Sequence, residues 1–176
     1  METLHQRLEA IWRTPPGLAS LSGVNHTTVG LRLVVSGFIF FLVGGVLAML
    51  IRSQLAFPDN RLLDHQEYNA AFTLHGTAMM FFFAVPIMLG FAAYLIPKMI
   101  GARDLAFPRL SAFGYWCYLF GGLLLFSSLL FGEAPEGGWF MYVPLTNQPF
   151  TPGPSADFWL LGVTFAEISA VASAVE

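Results

Sequence analysis

Cysteine is almost missing from this chain. Cys117 is the single one in 176 residues, which excludes an intrachain disulfide framework and a thiolate metal cluster. It stands inside an apolar run and reads as a packing residue. Charge is scarce too. Asp, Glu, Lys and Arg make up 11% of the residues, against roughly a quarter in soluble domains. The net charge of −3 argues against a nucleic-acid partner, which calls for a basic face. The first thirty residues lack both a central apolar stretch and a small-residue cleavage site, so no secretory signal is expected there.

Apolar residues are what the chain has in excess, at 56%, and their placement sets the fold class. Arg32 and Arg52 bracket 19 uncharged residues, Glu67 and Lys98 bracket 30, and Arg109 and Glu133 bracket 23. A fourth run, from Asp157 to Glu176, is broken only by Glu167. A hydrocarbon core of about 30 Å takes about 20 helical residues to cross. The chain therefore reads as all-α, a polytopic helix bundle embedded in a lipid bilayer. Its four spans are expected at about 31–52, 68–98, 110–132 and 157–176, after an N-terminal segment at 1–28. In that segment Leu4, Leu8, Ile11 and Trp12 fall at helical spacing, as in a helix lying in the membrane interface and stopped by Pro15-Pro16-Gly17. A cytoplasmic amino terminus puts Arg7, Arg13, Arg32, Lys98, Arg103 and Arg109 inside and only Arg52 and Arg61 outside. This is the orientation that the excess of basic residues on the cytoplasmic side favours.

Two features break the apolar monotony. Pro86 lies mid-span, where its missing N–H predicts a kink and a Phe82 carbonyl released for another partner. The segment 133–156 carries five prolines (Pro135, Pro144, Pro149, Pro152 and Pro154) and no Lys or Arg. Loops this long are often covers rather than connectors. Trp139, Phe140 and Tyr142 within it suit an interfacial aromatic belt or a roof over a cofactor, and composition does not choose between them.

The residue with the most chemistry is His75, about two turns into the second span. A ring nitrogen in hydrocarbon is costly unless something binds it. A metal cofactor, with haem iron the first candidate, and a hydrogen bond to a neighbouring helix both answer that need. Arg52 ends the first span near the same depth. There it satisfies terminal carbonyls, or donates a charge-assisted hydrogen bond to a cofactor substituent. Ala71 and Ala78, four before and three after His75, would let a flat ring come close. Met79 shares the helix and face of His75, while His5, His26 and His65 belong to the segments outside the spans. A second axial ligand for a haem on His75 would therefore come from outside these 176 residues.

Taken in order, several short pieces carry a resemblance. They are Asn25-His26 with Gly30, Gly44-Gly45-x-x-Ala48, Ile51-Arg52-x-Gln54-Leu55, Tyr68-Asn69, His75, Met80-Phe81-Phe82 and Pro86-Ile87-Met88. Pro97-x-Met99-Ile100-Gly101-Ala102, Asp104-x-Ala106-Phe107-Pro108-Arg109, Gly138-Trp139, Tyr142 and Pro144-Leu145 complete the set. From about Asn25 onward the chain resembles the amino-terminal third of subunit I of the haem–copper oxygen reductases, the cytochrome c oxidase type.

The resemblance implies that His75 is an axial ligand of the low-spin haem, haem a with haem b as the alternative. It implies that Arg52 bonds that haem's peripheral group and that Trp139 lies near its propionates. Asp104 matches the acidic mouth of a proton-uptake channel, and Ser169 matches a channel serine. By local chemistry alone, Asp104 between Arg103 and Arg109 is an ordinary loop ion pair. Where the family has channel asparagines, this chain has Ala93, Ser111, Ala112 and Glu176, and Leu33 stands where a tyrosine is usual. Glu167 occupies a position that is typically small and is a further candidate for the proton pathway. Glu167 and Glu176 differ by nine residues, about 900° of helix, and so face opposite sides.

The high-spin haem and copper are expected only in the full-length subunit, which would reduce oxygen to water while moving protons across a bacterial inner membrane. Subunits II and III, and cytochrome c or quinol as donor, are the implied partners. A b-type haem anchor without oxygen chemistry, or a non-redox membrane transport protein, are the other classes the residues allow.

Overall fold

A computed structural model describes residues 3–6, 8 and 17–176. Ile11, Trp12 and the Pro15-Pro16 stop of the expected interfacial helix lie outside the described residues. A short 3₁₀ helix, Gly17–Ser22, leads into four long helices. These are α1, His26–Gln54; α2, His65–Met99; α3, Pro108–Ser127; and α4, Ser155–Ala174, each long and apolar enough to cross a membrane. No strand occurs among the described residues.

Local chemistry explains where the helices start. Asn25 caps α1 by accepting the Thr28 N–H at 2.7 Å. Asp64 and Glu67 form a reciprocal capping box at the head of α2. α3 opens on Pro108, whose missing N–H costs nothing at a first helical position. The chain leaves α3 at Ser127, five residues before the uncharged run ends. The Ser127 and Ser128 hydroxyls bond the carbonyls of Leu124 and Leu125, and the Glu133 N–H returns to the Ser128 carbonyl. Charge count could not reveal this end, because hydroxyls that compete for the backbone terminate the helix without any charge.

In the middle of α2 the backbone widens into a π-helical segment, Ala78–Ala84, directly before Val85-Pro86. The disturbance has the expected cause. The Tyr118 hydroxyl of α3 donates to the Phe82 carbonyl at 2.7 Å, and both side chains are buried. A polar side chain from a neighbouring helix thus completes the backbone accounting that proline interrupts.

The helices meet through small residues. A Cβ on Gly30 would lie 2.8 Å from the Gly90 carbonyl oxygen, and one on Gly90 2.9 Å from that of Gly30. α1 and α2 therefore touch backbone to backbone. Gly121 and Gly162 do the same for α3 and α4, at 2.5 and 3.0 Å. Phe40 fills the place over Gly122 and packs on Phe82, Tyr118 and Phe126 with ring centroids 5.3 to 5.8 Å apart. Most other large apolar side chains face outward, as lipid-facing or helix-facing surfaces do.

Substituting Gly121 with Val should destabilise the α3–α4 pair by about 1–3 kcal/mol through overpacking. Gly45→Ala should be near neutral, since nothing lies within 4 Å of a Cβ there. Thermal unfolding of both variants in detergent checks the contrast.

Candidate functional site

His75 is half-buried on α2 and faces α1. Its Nδ1 lies 2.9 Å from the Gly44 carbonyl oxygen. A carbonyl only accepts, so Nδ1 donates, and in the neutral imidazole the lone pair is then on Nε2. This is the tautomer of a histidine ready to bind a metal through Nε2, oriented by a second hydrogen bond on the far nitrogen. Gly44 makes the approach possible. A Cβ there would meet the Met79 methyl at 3.0 Å and the Ala78 methyl at 3.5 Å. Ala78 is thereby committed to packing on α1 rather than left open for a flat ring. Arg52 is exposed in the last turn of α1, eight residues and about 12 Å along the axis from Gly44.

The opposite side of α2 is tied down by two buried threonines. The Thr73 hydroxyl donates to the Asn69 carbonyl and accepts the Gly138 N–H at 2.9 Å. The Thr77 hydroxyl donates to the Thr73 carbonyl and accepts the Trp159 indole N–H at 2.9 Å. Trp139 lies against Gly76, the residue next to His75, where a Cβ would be 2.6 to 2.9 Å from three Trp139 atoms. Trp139 stacks in turn on Phe140. The structure thus brings Trp139 onto the His75 helix. The threonines escaped the sequence reading, although their i, i+4 spacing on an apolar helix was visible.

Asp104 belongs to the other end of the bundle. Its Oδ1 accepts the His26 backbone N–H at 2.9 Å, lies 3.2 Å from His26 Nδ1, and accepts the Leu105 N–H. Beyond the local ion pair that its arginine neighbours suggest, the carboxylate also caps the first turn of α1, 78 residues away. Tertiary folding supplies that donor. Ser111 lies near the Glu176 carboxyl at the same end, and Glu176 Oε1 is buried without a hydrogen-bond partner among the described residues. A cavity of about 100 Å³ there is lined by Ala93, Leu105, Ser173 and Glu176. Ser169 is buried on the side of α4 that meets Gly114. Glu167 does not join this group, because it is exposed on another side of α4 and roughly 13 Å up the helix from Glu176. No cluster of three or more metal-ligating side chains occurs among the described residues.

Residues 28–176 match the family model described as cytochrome c and quinol oxidase polypeptide I. The chain belongs to the cytochrome c and quinol oxidase polypeptide I family. A putative cytochrome c oxidase subunit 1-beta of Streptomyces coelicolor is 49% identical over 152 residues, covering 86% of this chain and 26% of the relative. A probable cytochrome c oxidase subunit 1-alpha of Streptomyces avermitilis is 42% identical over 156 residues, covering 88% and 27%. Cytochrome c oxidase subunit 1 of Corynebacterium diphtheriae is 41% identical over 156 residues, covering 88% and 28%. The chain spans about a quarter of the length of these relatives.

In this oxidase polypeptide the Asp104 cap gives a direct test. Asp104→Ala should weaken the first turn of α1 by about 1 kcal/mol, whereas Asp104→Asn keeps an acceptor and most of the effect. Hydrogen exchange at the His26–Val29 amides should be faster in the first variant and near normal in the second.

Proposed function

We propose that this chain forms the low-spin haem side of subunit I of a terminal oxidase, with His75 as one axial ligand of the haem iron. The observation that carries the reading is the bond from His75 Nδ1 to the Gly44 carbonyl. It engages Nδ1, so that in the neutral imidazole Nε2 offers the lone pair that iron ligation requires, and it holds the ring at a set angle. Family membership supports the same assignment.

The residues fit a haem. His75 supplies a neutral imidazole, Arg52 a guanidinium for a peripheral formyl or propionate, and Trp139 an indole beside the same helix. When bound, the low-spin haem supplies a one-electron carrier. The chain's own part is to orient and exclude. Gly44 fixes the His75 ring, and the Tyr118 hydroxyl steadies the π-helical turn just after it. The 133–156 loop covers the helix at Gly76. Haem a suits the Arg52 pairing, and haem b is the alternative.

In the whole subunit, electrons from cytochrome c or quinol would pass to a haem–copper centre that reduces oxygen to water, coupled to proton translocation. Subunits II and III would complete the assembly in a bacterial inner membrane. With the amino terminus cytoplasmic, Asp104 and His26 stand on the proton-uptake side. Asp104 would collect protons there, with Ser111, Glu176 and Ser169 as further polar groups of the route in place of the usual asparagines.

His75→Ala should abolish the low-spin haem α-band in dithionite-reduced membranes while the polypeptide remains inserted. An α-band of undiminished height in that variant would sink the ligand assignment and leave His75 as a cross-helix hydrogen-bond donor.

A further inference from the structure

The 133–156 loop touches the His75 helix at two consecutive residues. Gly138 gives its N–H to Thr73, and Trp139 lies flat on Gly76. We propose that Thr73 and Gly76 are positioning residues that latch this loop to α2, so that Trp139 keeps a constant place beside the His75 site. The latch follows from geometry alone; its effect on a haem rests on the function proposed above.

Gly138 sits at φ +81°, a left-handed conformation that glycine adopts at little cost. That conformation comes immediately before Trp139, so the backbone can turn its N–H to Thr73 as the next side chain covers Gly76. Thr73 is fully buried, and its hydroxyl is used twice, as donor to Asn69 and acceptor from Gly138. Losing it would leave the Gly138 N–H without its partner. The Gly76 contact is equally strict. The three Trp139 atoms nearest a Cβ there are Cδ1, Cγ and Cβ. The Trp139 Cβ is next to the backbone, so a rotamer change cannot relieve the clash and the loop itself would have to lift. Phe140 and Tyr142 stack outward from Trp139 with ring centroids 3.8 and 5.2 Å apart, and both are exposed. Trp139 is therefore the inner end of the aromatic stack. On the same helix Thr77 holds Trp159 of α4, which sets the register of α2 beneath the latch.

The test uses native membranes carrying the subunit with Gly76→Ala, Thr73→Val, Thr73→Ser, Trp139→Ala, or Gly76→Ala combined with Trp139→Ala. Hydrogen exchange over residues 137–142 reports the latch, and the reduced α-band and midpoint potential report the haem. Gly76→Ala and Thr73→Val should speed exchange roughly tenfold, the equivalent of one lost buried hydrogen bond. Thr73→Ser should restore normal exchange. In the Trp139→Ala background, where only the Cβ contact at 2.9 Å is left, Gly76→Ala should add much less than it does alone. The low-spin band should persist in Gly76→Ala with a displaced midpoint potential. Unchanged exchange in Gly76→Ala overturns the latch, and so does an additive effect of the two substitutions. An unmoved potential despite faster exchange removes the positioning role. A wild-type membrane without the low-spin band overturns the haem reading while the exchange result on the latch stands.

Discussion

Hydrocarbon offers no water to a stray polar group, so every N–H, C=O and ring nitrogen in a span needs a partner within the protein. That constraint organises this molecule. Pro86 takes an N–H out of α2, the helix widens over 78–84, and Tyr118 reaches across from α3 to the Phe82 carbonyl. Thr73 and Thr77 return their protons to their own helix and offer their lone pairs to Gly138 and Trp159. His75 gives one nitrogen to Gly44 and keeps the other for chemistry. The same accounting that stabilises the bundle leaves Nε2 of the half-buried His75 outside that bond.

Close backbone approach is the second condition, and it follows from the first. Lipid is as apolar as leucine, so helices are held together by packing and by short polar contacts rather than by a hydrophobic driving force between them. Gly30 with Gly90 and Gly121 with Gly162 let carbonyls of adjacent helices come within reach of each other's Cα surfaces. Gly44 does the same at the site, where the carbonyl of one helix becomes the hydrogen-bond acceptor of the next. Packing and function thus use one residue. Gly122 uses its missing side chain differently, leaving room for the ring of Phe40 from α1.

The two ends of the bundle carry different chemistry. One end has His75, Trp139 and the proline-rich loop, built from buried hydrogen bonds and aromatic contact. The other has Asp104, His26, Ser111 and Glu176, where carboxylates meet a helix amino terminus and a small cavity. Asp104 favours such a position because three donors, two of them backbone N–H groups, converge on one oxygen. The two groups lie at opposite ends of the bundle, separated by much of its length.

By itself the sequence determined the four apolar spans, the all-helical class, the Phe82 carbonyl released by Pro86, and His75 as the residue to explain. Each of these depends on neighbours within a few residues or on the length of an uncharged run. Tertiary structure alone decided that the Gly44 carbonyl accepts from His75 Nδ1, that Tyr118 donates to the Phe82 carbonyl, and that Asp104 accepts the first N–H of α1. It also decided that Glu167 is exposed. Those outcomes depend on which helix lies beside which, and contacts made 31, 36 and 78 residues apart leave no periodic trace in a single chain.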